Sequence, residues 1–120
     1  MSFLNFKKKF QDEEISKKEY IDGSLRFHDL LFEYTEILRG TDIDKITITQ
    51  DDVCFSLSGD NIKMVPPRNE PRVAPIEILN FDAYEKEEAT LIDRLTYDCK
   101  SIFDVGANIG WFSLHFAAQN

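Results

Sequence analysis

The sequence predicts an α/β chain whose amino-terminal part is α+β: a helix, an antiparallel β-meander, and then a strand–turn–helix unit. Three observations carry this. Apolar residues recur every three or four positions through the first 40 residues, and from Lys45 the period drops to two. Near the carboxyl end, "SIFDVGANIGWFSL" (Ser101–Leu114) sets Gly106, Asn108 and Gly110 between two apolar runs.

The helix opens at "SKKE", Ser16–Glu19, which has capping-box form: a hydroxyl to accept an orphan amide and a Glu three positions on to answer it. Beyond it Ile21, Leu25, His28, Leu31, Tyr34, Ile37 and Leu38 form one stripe, expected to be buried, with His28 as a packed core histidine. That stripe packs either on its own domain or on a second copy, so homo-oligomerisation through the amino-terminal helix is an expectation. Gly40 stands where a left-handed cap favours glycine, and Gly23 marks a weak point or a break within the helix. "FKKKF" and the "QDEE" after it read as solvated helix surface.

"KITITQDDVCFSLSGDNIKMVPP" alternates in short β-favouring runs separated by "QDD" and "SGDN", which predicts three antiparallel strands joined by two tight turns. Pro66 and Pro67 end the third, since proline donates nothing to a ladder. "RNEPRVAP" reads as an extended connector and "IEILNF", Ile76–Phe81, as a further strand. Tyr84–Asp98 reads as a helix with acids at its start, favoured by the dipole, and an apolar face of Ala89, Leu91, Ile92 and Leu95. "SIFDV" suits a strand buried on both faces of a parallel sheet. In "GANIG" the glycines permit backbone angles that a Cβ opposes, and Asn108 is the non-glycine type that best tolerates positive φ. A last helix follows from "IGWFSLHFAAQ". The domain boundary is expected between residues 82 and 83.

Bulk properties narrow the function. Hydrophobic residues at 42% and ten Phe provide core material for one small domain, or a subdomain and the start of another. A formal charge of −8 speaks against a phosphate-tracking surface, so nucleic acid is not an expected partner. Cys54, Cys99, His28 and His115 lack ligand-type spacing, and no metal site is expected. Two free thiols and no signal-peptide pattern in "MSFLNFKKKF" point to the cytoplasm. No run approaches the ~20 apolar residues that span a bilayer, so no stable membrane insertion is expected.

A strand, a glycine-bearing turn and a helix present backbone amides to a ligand. A dinucleotide fingerprint needs G-x-G-x-x-G, whereas here Asn108 takes the middle place and Trp111 follows Gly110. A phosphate loop ending in Gly-Lys-Ser/Thr is excluded, because no Lys follows. Asp104, two residues before Gly106, would repel a pyrophosphate and suits a ligand bearing an ammonium or sulfonium group. Capping the strand end is the other role open to it.

"FDVGANIGWFSL" resembles the first motif of class I S-adenosylmethionine-dependent methyltransferases, in the form usual in the FkbM family. "YEKEEATLIDRL" is similar to the Glu-rich helix leading into that motif, so the specific resemblance runs over about Tyr84–Ala118. The resemblance implies a Rossmann-like fold and S-adenosylmethionine as cofactor, held by Asp104, Gly106, Ala107, Asn108 and Gly110. Glu85 or Glu88 reach the same pocket under this reading; equally, they are dipole-favourable surface acids. Methyl transfer to a hydroxyl of a sugar or secondary metabolite is implied, with a small molecule or glycan as acceptor. The later strands of such a domain, with the ribose-binding acid and the acceptor site, are not present. The chain therefore reads as an amino-terminal portion, cut inside or just after its first Rossmann helix, expected to bind the cofactor poorly and to be inactive alone. The rival is a non-enzymatic module for oligomerisation or partner binding, supported by the long amphipathic helix and the acidic balance. A nicotinamide-dependent dehydrogenase is disfavoured by Asp104 and the glycine spacing.

Overall fold

The computed structural model describes residues 1–57, 59 and 61–119. It is a mixed α+β structure with the order α1 (Phe3–Gln11), α2 (Lys17–Arg39), β1 (Ile43–Ile48), β2 (Val53–Leu57), β3 (Ile62–Met64), α3 (Ala74–Phe81), α4 (Lys86–Thr96) and α5 (Trp111–Gln119). It divides into two compact units, Met1–Ile37 and Leu38–Asn120; the boundary at 82–83 falls inside the second.

In the first unit α1 and α2 form an antiparallel hairpin. The Ser2 hydroxyl accepts the Asn5 amide at the start of α1. At α2 the capping box forms in full: the Ser16 amide and hydroxyl both donate to Glu19 Oε2, at 2.8 and 2.7 Å, and the Glu19 amide donates to Ser16 Oγ. The Ser16 hydroxyl, followed by the Ser16 amide, holds the Glu19 carboxyl below its ordinary range. Phe10 stacks on Tyr20 at 4.5 Å between centroids, Phe6 meets Tyr20 and Phe27, and Phe3 stacks on Phe27 at 5.1 Å. The Phe residues of "FKKKF" are thus packing residues, while Lys7 and Lys8 are exposed and Lys9 is half-buried.

These contacts select a different face of α2 from the expected one. The buried side carries Tyr20, Gly23, Ser24 and Phe27, while Ile21, Leu25, His28, Leu31, Tyr34 and Ile37 are exposed. His28 is not a core histidine; it lies edge-on to Phe3 at 5.0 Å. Gly23 is no break, because α2 runs through it and its missing Cβ admits the Phe6 ring. Gly40 is not left-handed either: positive φ among the glycines occurs at Gly59, Gly106 and Gly110. The end of α2 is closed instead by Thr41, whose amide and hydroxyl both donate to the Leu38 carbonyl.

In the second unit the meander forms as expected, with β1–β2 and β2–β3 antiparallel in the order β1-β2-β3 among the described residues. The "QDD" turn is closed by Thr49, whose amide donates to the Asp52 carbonyl and whose hydroxyl oxygen accepts the Asp51 and Asp52 amides. Of the "SGDN" turn, Ser58 and Asp60 lie outside the described residues; the Gly59 amide donates to Asp44 Oδ2 at 2.7 Å. Ile62 and Met64 point inward and Lys63 outward, the period-two pattern of a half-buried strand.

The expected strand at Ile76–Phe81 is helix α3. Pro75 occupies its first turn, where a missing amide costs nothing, and Ala74, Pro75 and Ile78 are buried at helical spacing. Asp82, at φ 71°, ends it by donating its amide to the Ile78 carbonyl. The connector before it turns at Arg68–Asn69 and Pro71–Arg72 rather than staying extended, and its Val73 is buried. Ile43, Phe55, Leu57, Ile62, Met64, Ala74, Ile78 and Trp111 form the core, with Leu38, Tyr84, Ile109 and Phe112 packed against it. On α4, Ala89 and Ile92 are half-buried but Leu91 and Leu95 are exposed, so half the expected face is used. Ser101–Asp104 forms no strand: it has no ladder partner among the described residues, and Phe103 and Val105 are 90% and 94% exposed. A parallel strand exists only through neighbours that take its amides and carbonyls, so apolar β-favouring residues alone do not make one.

No helix among the described residues is long and apolar enough to cross a membrane.

Candidate functional site

The segment Asp104–Gly110 connects the irregular Ser101–Asp104 stretch to α5 through a turn whose backbone changes hand repeatedly. Gly106, Asn108 and Gly110 have φ of 71°, 53° and 83°, while Ala107 and Ile109 do not share the positive sign. All three turn-prone residues thus occupy the region for which their types were singled out. Alternation of hand makes successive amides converge on a concave surface, which favours an anionic group. The turn is closed by the Gly110 amide donating to the Ala107 carbonyl at 2.8 Å, and α5 begins with the Leu114 amide on the Gly110 carbonyl. A Cβ built at Gly106 or Gly110 would meet nothing within 4 Å, so glycine here answers a backbone requirement rather than crowding.

Asp104 is partly buried and its Oδ2 accepts from the Ser113 hydroxyl at 2.7 Å. That bond ties the segment before the turn to the first turn of α5 and orients the carboxylate beside the turn. An ionised carboxylate offers about four lone-pair directions, so one hydroxyl leaves it able to receive a cationic donor. Ser113 was not among the residues singled out. Its nine-residue separation from Asp104 becomes a contact only once the chain reverses at Gly106–Gly110, so spacing by itself does not flag it.

The start of α5 is held by aromatic packing. Trp111 is buried, Tyr84 meets it edge-on at 5.6 Å, and the His115 ring lies 4.2 Å away with its Nδ1 2.7 Å from the Trp111 carbonyl. The Trp111 Nε1 is buried without a hydrogen-bond partner among the described residues. At the far end of α5, Gln119 donates to Asp93 Oδ1 on α4.

The two helix acids separate. Glu85 caps α4 with φ 43° and lines a hollow with Arg72, Glu77, Phe81, Ala83 and Tyr84; Arg72 and Glu77 form an ion pair there. It is the chain neighbour of Tyr84, whose ring packs on Trp111 at the start of α5. Burial first, and then the Glu85 carboxylate, push the Tyr84 hydroxyl above its ordinary pKa. Glu88 stands exposed in the first turn of α4. Asp104, Gly106, Ala107, Asn108 and Gly110 therefore form one group, now including Ser113, while Glu85 belongs to a neighbouring one. Comparison of the chain with known protein families, characterised proteins and solved structures gives no match.

Proposed function

We propose that Asp104–Ser113 is the amino-acid-binding wall of an S-adenosylmethionine site, in the amino-terminal part of a Rossmann-like, FkbM-type methyltransferase acting on a sugar or secondary-metabolite hydroxyl. The observation that carries the reading is the pairing of a positioned carboxylate with an alternating-hand turn. Together they offer an acceptor for an ammonium and, in turn amides other than the one Gly110 gives to the Ala107 carbonyl, donors for a carboxylate, the two charged groups of an α-amino acid. A pyrophosphate would satisfy only the donors and would face Asp104. Exposed Phe103 and Val105 also fit, since neighbouring strands of a parallel sheet would cover them.

Under this reading Asp104 holds the ammonium, the turn amides hold the carboxylate, and Ser113 fixes the rotamer of Asp104. S-adenosylmethionine when bound supplies a methyl group activated by its sulfonium. The protein's share is orientation, because a methyl transfer gains most from holding donor and acceptor in line.

The test is an amide-resolved NMR titration with S-adenosylhomocysteine, which keeps the amino-acid portion. Amides of Gly106, Asn108 and Gly110 should shift. Asp104→Asn, which retains an oxygen for Ser113 and loses the charge, should weaken binding about 10- to 100-fold, the value of a charged hydrogen bond. Unmoved turn amides, equal affinity in Asp104→Asn, or a stronger response to inorganic pyrophosphate would each overturn the proposal.

A further inference from the structure

Ile21, Leu25, His28 and Phe32 recur at spacings of four, three and four, so they line one narrow stripe along α2. The stripe lies wholly within the Met1–Ile37 unit. Helix α1 leaves it largely open: the rings of Phe3, Phe6 and Phe10 sit on the face of Tyr20, Gly23 and Phe27, and Phe3 meets the stripe edge-on at His28. With 9 residues against 23, α1 also stops short of Phe32. Ile21, Leu25 and Phe32 are consequently 56%, 59% and 72% exposed. Such residues aligned on one helix face are the usual apolar seam of a helix–helix interface.

The charges beside the stripe identify its occupant. Lys17 and Lys18 flank its amino-terminal end, with Lys18 also bonded to Asp22 on its own helix, and Glu33 and Glu36 flank its carboxyl-terminal end, with Glu36 likewise already engaged within its own chain. A second α2 laid antiparallel, centred between Arg26 and Phe27, sets Ile21 against Phe32, Leu25 against His28, and Lys17 against Glu36. Parallel pairing would instead place Lys17 on Lys17 and Glu36 on Glu36. The stripe is thus self-complementary in apolar register and in charge, which is the requirement of a two-fold symmetric, isologous contact. The opposite charges at the ends also set the register, because a slip of one helical turn in either direction takes Lys17 away from Glu36 and sets an apolar residue of the stripe, Ile21 or Phe32, against one of those charges.

From this self-complementarity we infer that the chain forms a homodimer through antiparallel pairing of α2 along Ile21, Leu25, His28 and Phe32, independently of whether the turn at Asp104–Gly110 binds a cofactor.

Sedimentation equilibrium of the intact chain at micromolar to submillimolar concentration should show a monomer–dimer equilibrium. Leu25→Glu and Phe32→Glu should each weaken it by about tenfold or more, while leaving the helical circular dichroism unchanged because both residues are exposed in the monomer. Lys17→Glu and Glu36→Lys should each weaken it, and the double variant should recover it. Nitroxides placed at position 17 should lie about 30 Å apart in the dimer, from an axial offset of 1.5 Å per residue and a helix separation of 8–10 Å. A chain that stays monomeric, a dimer that survives both Glu substitutions, or a position-17 distance near the helix separation would overturn the inference.

Discussion

Gly23→Ala tests the packing of the helical hairpin through the sign of a free-energy change. In an ordinary helix interior this substitution stabilises by about 0.8–1 kcal/mol, because alanine loses less backbone entropy on folding. At position 23 the new Cβ would stand 2.4 Å from Phe6 Cζ and 2.9 Å from Phe6 Cε1. The ring has little room to retreat, with Tyr20 on one side, Phe27 on another and the Arg26 guanidinium 5.8 Å from its centroid. Overpacking of this kind costs about 1–3 kcal/mol, so Gly23→Ala should be net destabilising by about 1 kcal/mol. Phe6→Ala removes the clash along with the packing, at about 1–3 kcal/mol for a half-buried ring. In that background Gly23→Ala should become stabilising by about the propensity value, giving a coupling of about 2 kcal/mol between the two sites. Native-state hydrogen exchange of amides Tyr20–Phe27, supported by urea unfolding at the helical circular-dichroism band, reads all four corners of the cycle. If Gly23→Ala stabilises the chain that still carries Phe6, the packing described for α1 on α2 is wrong.

Ser16→Ala should raise the Glu19 midpoint toward its ordinary value in an NMR titration, since the Ser16 hydroxyl is the first cause of its depression. Because the folded value lies below the unfolded one, the stabilisation is present above the unfolded carboxyl pKa and lost as pH falls through the folded pKa; an unchanged midpoint in Ser16→Ala would count against the capping box. For Tyr84 the folded pKa is raised, so its contribution holds below the ordinary tyrosine value and disappears as pH rises through the folded one. Ultraviolet titration should show a late-ionising component that is lost in Tyr84→Phe and moved down in Glu85→Gln. Gly110→Ala should destabilise the second unit by about 1–2 kcal/mol, the cost of left-handed backbone for a residue with a Cβ, although no atom crowds the position; a melting temperature equal to that of the unsubstituted chain would show that the turn relaxes out of that conformation.

Much of the local structure was legible without coordinates. The capping box at Ser16–Glu19, the three strands of the meander, the start of α4 and the hand of Gly106, Asn108 and Gly110 depend on bonds and torsions within a few residues. Short-range chemistry of that kind is written in the residue types themselves. "IEILNF" was misread because its I-E-I-L start fits a period of two, and only the burial of Ala74, Pro75 and Ile78 against the sheet shows the helical one. "SIFDV" failed for the complementary reason. Its β-favouring residues are intrinsic, but a ladder belongs to two strands, and the second is absent among the described residues.

The amino-acid sequence by itself determined which segments of this protein are apolar at which period, where the turns fall, and that a carboxylate precedes a turn of left-handed residues. Tertiary structure alone decided which face each helix buries. On α2 both the Tyr20–Gly23–Phe27 face and the Ile21–Leu25–Phe32 face are apolar, and the pattern of hydrophobicity does not choose between them. The choice falls to shape: the bare backbone of Gly23 lets the Phe6 ring approach, and the three Phe of α1 follow it onto that side. In the same way the Asp104–Ser113 bond needs the chain reversal between them before two distant side chains can meet. Both outcomes rest on contacts between elements, whose geometry no window of local sequence contains.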